Sequence, residues 1–214
     1  MDMVSFLAIL MIIASFLVFS LRNLKFATYA YILETLLLVG IFFTLAGKYQ
    51  VNSLYGWAVI AFFTKVLIVP YIILRLINKL GVKSEETPVE GFFVSPVIAL
   101  GFSLAIAMML FPVLKSFALL KEDIPLVASL TIYSLGIFGL ILRKNAVKQI
   151  LSLCLFENGT HLTLALVAYN SPEIVDIGIL TDAIFAVIIM SILATRFYKF
   201  FGSLDTSKAN TLKG

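Results

Sequence analysis

Apolar residues along this chain come in long runs separated by short polar gaps, many of them basic. The runs extend approximately from Val4 to Ser20, Phe26 to Ala46, Leu54 to Ile77, Phe92 to Leu114, Pro125 to Leu142, Gln149 to Tyr169 and Ile174 to Thr195. A hydrocarbon layer of about 30 Å needs about 20 apolar helical residues, and each run meets or approaches that length. The strands of a membrane barrel would be about half as long and would alternate in polarity, so the pattern predicts helices. The expected fold class is an all-α membrane protein with seven transmembrane helices. Met1-Asp2-Met3 precedes the first run without the basic region of a secretory signal, so that run is expected to be retained as a helix.

Composition agrees with this pattern. Of 214 residues, 61% are apolar and only 13% charged, and the mean hydropathy is +1.07. Soluble domains carry about 25% charged residues. A chain this small could not hide the excess apolar surface in one core. A soluble enzyme, a disordered tail and a nucleic-acid binder are thereby excluded. The net charge of +4 is dispersed through the gaps and forms no single basic patch.

Those dispersed charges orient the helices. Arg22, Lys25, Arg75, Lys79, Lys83, Arg143, Lys144, Lys148, Arg196, Lys199, Lys208 and Lys213 fall on one side of the predicted bundle, against Lys48, Lys115 and Lys121 on the other. The bias predicts an N-terminus outside and a C-terminus in the cytoplasm.

A weak 3+1+3 internal repeat is also legible. Ser20-Leu21-Arg22-Asn23 closes the first run, and Leu142-Arg143-Lys144-Asn145 closes the fifth. About a dozen residues later come Glu34 and Glu157, and then Thr64-Lys65 and Thr181-Asp182. The chain is therefore expected to divide into a three-helix repeat (1–80), a cytoplasmic loop (81–91), a connecting helix (92–114), a second three-helix repeat (124–196) and a cytoplasmic tail (197–214).

Ionisable residues inside a membrane are expensive and mark ion or proton routes by default. Glu34, Lys65, Glu157, His161 and Asp182 all fall within the predicted spans. Glu157 and His161 are four residues apart, share a helix face and can touch. Together they could pass a proton near neutral pH. Asp182 and Glu157 each lie about 12 Å deep, from opposite membrane surfaces, at 1.5 Å per helical residue. They can form successive steps of one path if their faces meet. A structural reading stays open at each position. Glu34 and Lys65 can neutralise one another between adjacent helices, Glu157 with His161 can clamp two helices, and Asp182 can bind a lysine of a neighbouring subunit. Cys154 reads as a small packing residue and Pro70 as a kink. The sequence holds no catalytic constellation, phosphate-binding loop or metal-ligand spacing. One histidine and one cysteine cannot by themselves hold a haem pair or an iron–sulfur cluster, so no cofactor is expected on this chain.

Two stretches are more specific. They are Glu157-Asn158-Gly159-Thr160-His161-Leu162-Thr163-Leu164-Ala165-Leu166 and Pro172-Glu173-Ile174-Val175-Asp176-Ile177-Gly178-Ile179-Leu180-Thr181-Asp182-Ala183-Ile184-Phe185-Ala186-Val187-Ile188. With Thr64-Lys65-Val66-Leu67-Ile68-Val69-Pro70 and the closing Leu204-Asp205 and Leu212-Lys213-Gly214, they resemble the hydrogenase-4 component E family over nearly the whole chain. The C-terminal half, beginning with Gly136-Ile137-Phe138-Gly139-Leu140-Ile141-Leu142-Arg143-Lys144-Asn145, is similar to the K-type subunit of complex I and the C subunit of Mrp-type antiporters. The two membrane glutamates of the K-type subunit would fall at Cys154 and Phe185, whereas the acids here stand about one helical turn away, at Glu157 and Asp182.

The resemblance implies a non-catalytic membrane-arm subunit of a complex-I-like nickel–iron hydrogenase, of the formate hydrogenlyase or hydrogenase-4 type. It implies antiporter-like membrane subunits as partners, and a peripheral arm that carries the nickel–iron site and iron–sulfur clusters. The expected location is the cytoplasmic membrane of a prokaryote, among lipid and with no nucleic acid. Glu157, His161, Asp182, Lys65 and Glu34 are the expected proton or sodium path. A subunit of a cation/proton antiporter and a purely structural membrane anchor are the competing readings.

Overall fold

The computed structural model describes residues 2–85, 94–170 and 173–211, and in the last of these segments the side chains of 184–209. The elements in chain order are α1 (Met3–Ser20), α2 (Leu24–Tyr49), α3 (Asn52–Ala61), a π-helical segment (Phe62–Ile68), α4 (Val69–Leu80), α5 (Val94–Phe117), α6 (Asp123–Leu142), α7 (Ala146–Val167) and α8 (Glu173–Phe201). A short 3₁₀ turn, Thr206–Thr211, follows. α3, the π-helical segment and α4 run on as one span, so among the described residues seven helices are long and apolar enough to cross a membrane. The outward faces carry Phe102, Met109, Ile141, Leu193 and Phe200, as expected of surfaces that meet acyl chains or apolar neighbours.

Asparagines start two of the central helices, because their side-chain oxygen satisfies N–H groups left over at a helix start. Asn23 Oδ1 accepts from the N–H of Lys25 and Phe26 at 3.0 and 3.2 Å. Asn145 Oδ1 accepts from Val147 and Lys148 at 3.0 and 3.3 Å. Each cap is then locked by an antiparallel bridge, Asn23 to Ser84 and Asn145 to Asp205. Flanking bonds match as well. Leu24 N–H donates to Lys83 C=O and Glu85 N–H to Arg22 C=O, while Ala146 N–H donates to Leu204 C=O and Thr206 N–H to Lys144 C=O. The chain leaving α4 therefore ties off the start of α2 in the same way as the chain leaving α8 ties off the start of α7.

Around these locks α1 packs on α2 and α6, α6 on α5 and α7, and α4 on α8. The spans of α6 and α7 are the most deeply buried, whereas those of α5 and α8 are largely exposed. Small residues set the closest approach, as in membrane bundles generally. A Cβ at Gly159 of α7 would fall on the backbone of Tyr133, and one at Gly136 of α6 would fall on the backbone of Phe156. Gly159→Ala is expected to push α6 from α7 and destabilise the chain by about 1–3 kcal/mol, the usual penalty for overpacking. A thermal melt in detergent checks this, and a melt unchanged from wild type would contradict it.

The third span carries a π-helical segment, Phe62–Ile68, just ahead of Pro70. The chain widens before the proline: Val69 N–H bonds to Thr64 C=O, five residues back. Pro70 has no N–H and its ring crowds the carbonyl four residues earlier. A π-helical turn absorbs that disruption, and such turns recur at functional sites. Lys65 sits within it.

At the end of the bundle holding the start of α1, Lys48 Nζ bridges Asp2 Oδ2 and Glu122 Oε1, both at 2.6 Å. Its hydrogen bond and charge hold the exposed Asp2 carboxyl below its ordinary pKa.

Candidate functional site

Fully buried charges meet near the middle of the bundle. Glu34 on α2, Lys65 on the π-helical segment and His161 on α7 are all buried, as are Thr35 and Asn158. About 12 residues of α7 precede Asn158, which places it about 18 Å along a helix about 33 Å long. Asn158 and His161 are three residues apart and share one face of α7. The π-helical turn presents Lys65 to that face.

Lys65 Nζ donates to Asn158 Oδ1 at 2.8 Å and engages His161 Nδ1. Asn158 Nδ2 donates to Glu34 Oε2 at 2.6 Å and to Thr35 Oγ1 at 3.1 Å. The Thr35 hydroxyl lies 3.4 Å from the same Glu34 oxygen. This arrangement sets the amide's orientation, because the reverse would aim its N–H groups at an ammonium. A charged Lys65 donating to Nδ1 makes His161 the neutral tautomer with its proton on Nε2. The result is a connected series, Glu34–Asn158–Lys65–His161, across three elements. Glu34 Oε1 is buried and has no hydrogen-bond partner among the described residues.

Of the residues singled out from sequence, Glu34, Lys65 and His161 thus come together. Glu34 and Lys65 communicate through Asn158, which stands between them. Glu157 is half-buried one position before Asn158, and its charge reaches Lys65 and Cys154. Asp182 lies on α8, but its side chain is outside the described residues. Asn158 carries no charge and so does not stand out in the sequence as the ionisable residues do. Its three-residue spacing from the only histidine was the available clue.

A second polar cluster sits where α1 ends. The last carbonyls of a helix lack intrahelical partners and carry the negative end of its dipole. Lys148 Nζ donates to Val18 O at 2.6 Å and Phe19 O at 3.1 Å. Arg143 Nη2 donates to Phe19 O at 2.8 Å, and its guanidinium lies 4.3 Å from the Phe19 ring centroid. Arg143 Nη1 also bonds Glu85 Oε2 at 3.2 Å, with both side chains buried. Burial lowers the Arg143 pKa, and Glu85 works in the opposite direction. Arg143 and Lys148 count from sequence only as orienting charges; in the fold they fasten α6 and α7 onto α1.

The family model for NADH-ubiquinone/plastoquinone oxidoreductase chain 4L matches residues 124–214. The chain is 37% identical to hydrogenase-4 component E of Escherichia coli strain K12, over 97% of its own length and 96% of that protein. The Shigella flexneri hydrogenase-4 component E matches to the same extent. An uncharacterised Mycobacterium tuberculosis protein is 27% identical over 74% of this chain and 71% of its own. No solved structure matches the chain significantly. With near-complete coverage of both sequences and a multi-pass helical architecture, this chain belongs to the hydrogenase-4 component E family.

Proposed function

We propose that this protein is a membrane-arm subunit of a complex-I-like nickel–iron hydrogenase, in which it carries part of a proton or sodium path coupled to hydrogen metabolism. The nickel–iron site and iron–sulfur clusters belong, on this reading, to a peripheral arm. Antiporter-like subunits are the neighbours in the cytoplasmic membrane of a prokaryote, with this chain's N-terminus outside. Family membership supports the assembly, and the observation that carries the path is the buried Glu34–Asn158–Lys65–His161 series, with one glutamate oxygen unpartnered among the described residues.

A buried carboxyl oxygen without a partner is costly, and taking up a proton or a cation relieves it. Once Glu34 is neutralised, the attraction that draws Lys65 toward it through Asn158 weakens. In a low-dielectric interior that change is large. The Lys65 ammonium then leans toward Glu157 and His161, and His161 can accept a proton at Nδ1. Asp182 provides a further step toward the outer surface. The repeated end locks support descent of the two halves from one three-helix unit, with α5 as the connection.

The test is ion uptake by inverted membrane vesicles that contain the whole complex, with hydrogen evolution followed in parallel. Glu34→Gln is expected to abolish uptake and leave hydrogen evolution running. Glu157→Gln is expected to uncouple the two in the same sense, with assembly intact. Normal uptake in both variants would remove these carboxylates from the path.

A further inference from the structure

The end of the bundle that carries Arg75 and Lys79 has a feature that the ion path does not use. A groove of about 810 Å³ lies between the C-terminal turns of α4 and α8. Arg75 and Lys79 border it from α4, and Arg196 and Lys199 from α8. All four cations are exposed, and among the described residues none has a carboxylate within ion-pair distance. Like charges gathered in this way repel one another unless an anion joins them. Ile72, Leu76, Ile188 and Ile192 form the apolar part of the wall, and Ser191 and Thr195 complete it.

Ser191 supplies an independent observation. It lines the same groove and is only 9% exposed. Its Oγ has no hydrogen-bond partner among the described residues. A buried hydroxyl with no partner beside a four-cation rim marks a place where an acceptor-rich group would be satisfied.

We propose that this groove is a binding site for an anionic diacyl phospholipid. The headgroup phosphate is held by Arg75, Lys79, Arg196 and Lys199, and the acyl chains lie along the isoleucine wall toward the bilayer centre. Three features favour a lipid over a soluble anion or an acidic protein surface. The groove opens between two membrane-spanning helices, its cations sit at the ends of those helices, and its apolar wall continues into the span. Basic pockets between transmembrane helices at the cytoplasmic surface suit phosphate headgroups, and arginine adds two-pronged contacts to phosphate oxygens. By joining α4 to α8 the lipid would brace the largely exposed α8 against the rest of the bundle.

The experiment uses the intact complex purified in mild detergent, with retained lipid measured by native mass spectrometry after addition of phosphatidylglycerol, phosphatidylcholine or inorganic phosphate. Wild type is expected to retain phosphatidylglycerol in preference to phosphatidylcholine, and to lose it as salt is raised. Arg75→Gln with Arg196→Gln is expected to weaken retention about 25-fold, from about fivefold for each cation removed near a membrane surface. Lys25→Gln, on an exposed position of α2 away from the groove, should leave retention unchanged. If the double variant does not assemble, the lipid preference and salt dependence of the wild type still decide. Equal retention of the two lipids, displacement of the lipid by millimolar inorganic phosphate, or unchanged retention in the double variant would each overturn the proposal. Occupation of the groove by an acidic segment of a partner subunit, seen by cross-linking to Lys79 or Lys199, would overturn it as well.

Discussion

Exchanging Lys65 for Met is expected to slow coupled ion movement by about 10²-fold or more, the scale at which a positioned proton-transfer group contributes, while hydrogen evolution continues. Lys65 touches both Asn158 and His161 from a separate helical span. Without its ammonium, Asn158 Oδ1 has no donor there and the series from Glu34 stops at an amide. A methionine of similar length fills the same space, so the loss falls on charge and hydrogen bonding and leaves packing nearly intact. Removing the cation also leaves Glu34 without its buried counter-charge. For that reason Lys65→Met should assemble less well than Lys65→Met with Glu34→Gln, a comparison that separates stability from transport. The double variant is expected to recover assembly and remain unable to move ions. Proton or sodium uptake at wild-type rates in the assembled double variant would show that the buried series is only a clamp.

The second large effect concerns stability. Arg143→Ala removes the guanidinium that bonds both Glu85 and the last turn of α1. Glu85 is buried, and an uncompensated buried carboxylate typically destabilises by about 3–5 kcal/mol. The carbonyl of Phe19 retains Lys148 as a donor, so the damage should concentrate on Glu85. Arg143→Met with Glu85→Gln is accordingly expected to recover much of the loss, since the double change removes both charges. Thermal unfolding in detergent reads this directly. An Arg143→Ala protein that melts within a degree of wild type would mean that the pair carries no weight.

Much of the architecture was legible from the chain alone, because it follows from a local property. Backbone groups in hydrocarbon must bond within their own segment, so an apolar run of sufficient length is a helix whatever surrounds it. The seven runs accordingly became seven spans, and the end signals Arg22-Asn23 and Lys144-Asn145 became helix caps. Glu34, Lys65 and His161 were also visible, since an ionisable residue stands out in an apolar background.

What the chain did not reveal depended on which faces meet. Asn158 carries no charge, yet it joins Glu34 to Lys65 only because α2, the π-helical turn and α7 converge on it. Arg143 and Lys148 resembled the other loop cations, and only the docking of α6 and α7 on the carbonyl end of α1 turns them into buried fasteners. The π-helical turn before Pro70 depends on a balance of hydrogen bonds that hydropathy does not register. Likewise, Arg75 and Arg196 are about 120 residues apart in the chain, and only the packing of α4 on α8 makes them two sides of one groove. That the chain spans a membrane as helices and spends buried charge there can be read from the order of its residues, because burial of backbone and charge is decided residue by residue. The tertiary structure alone decided which of those charges are partners, because hydrogen bonds act over about 3 Å and that proximity arises only when the helices pack.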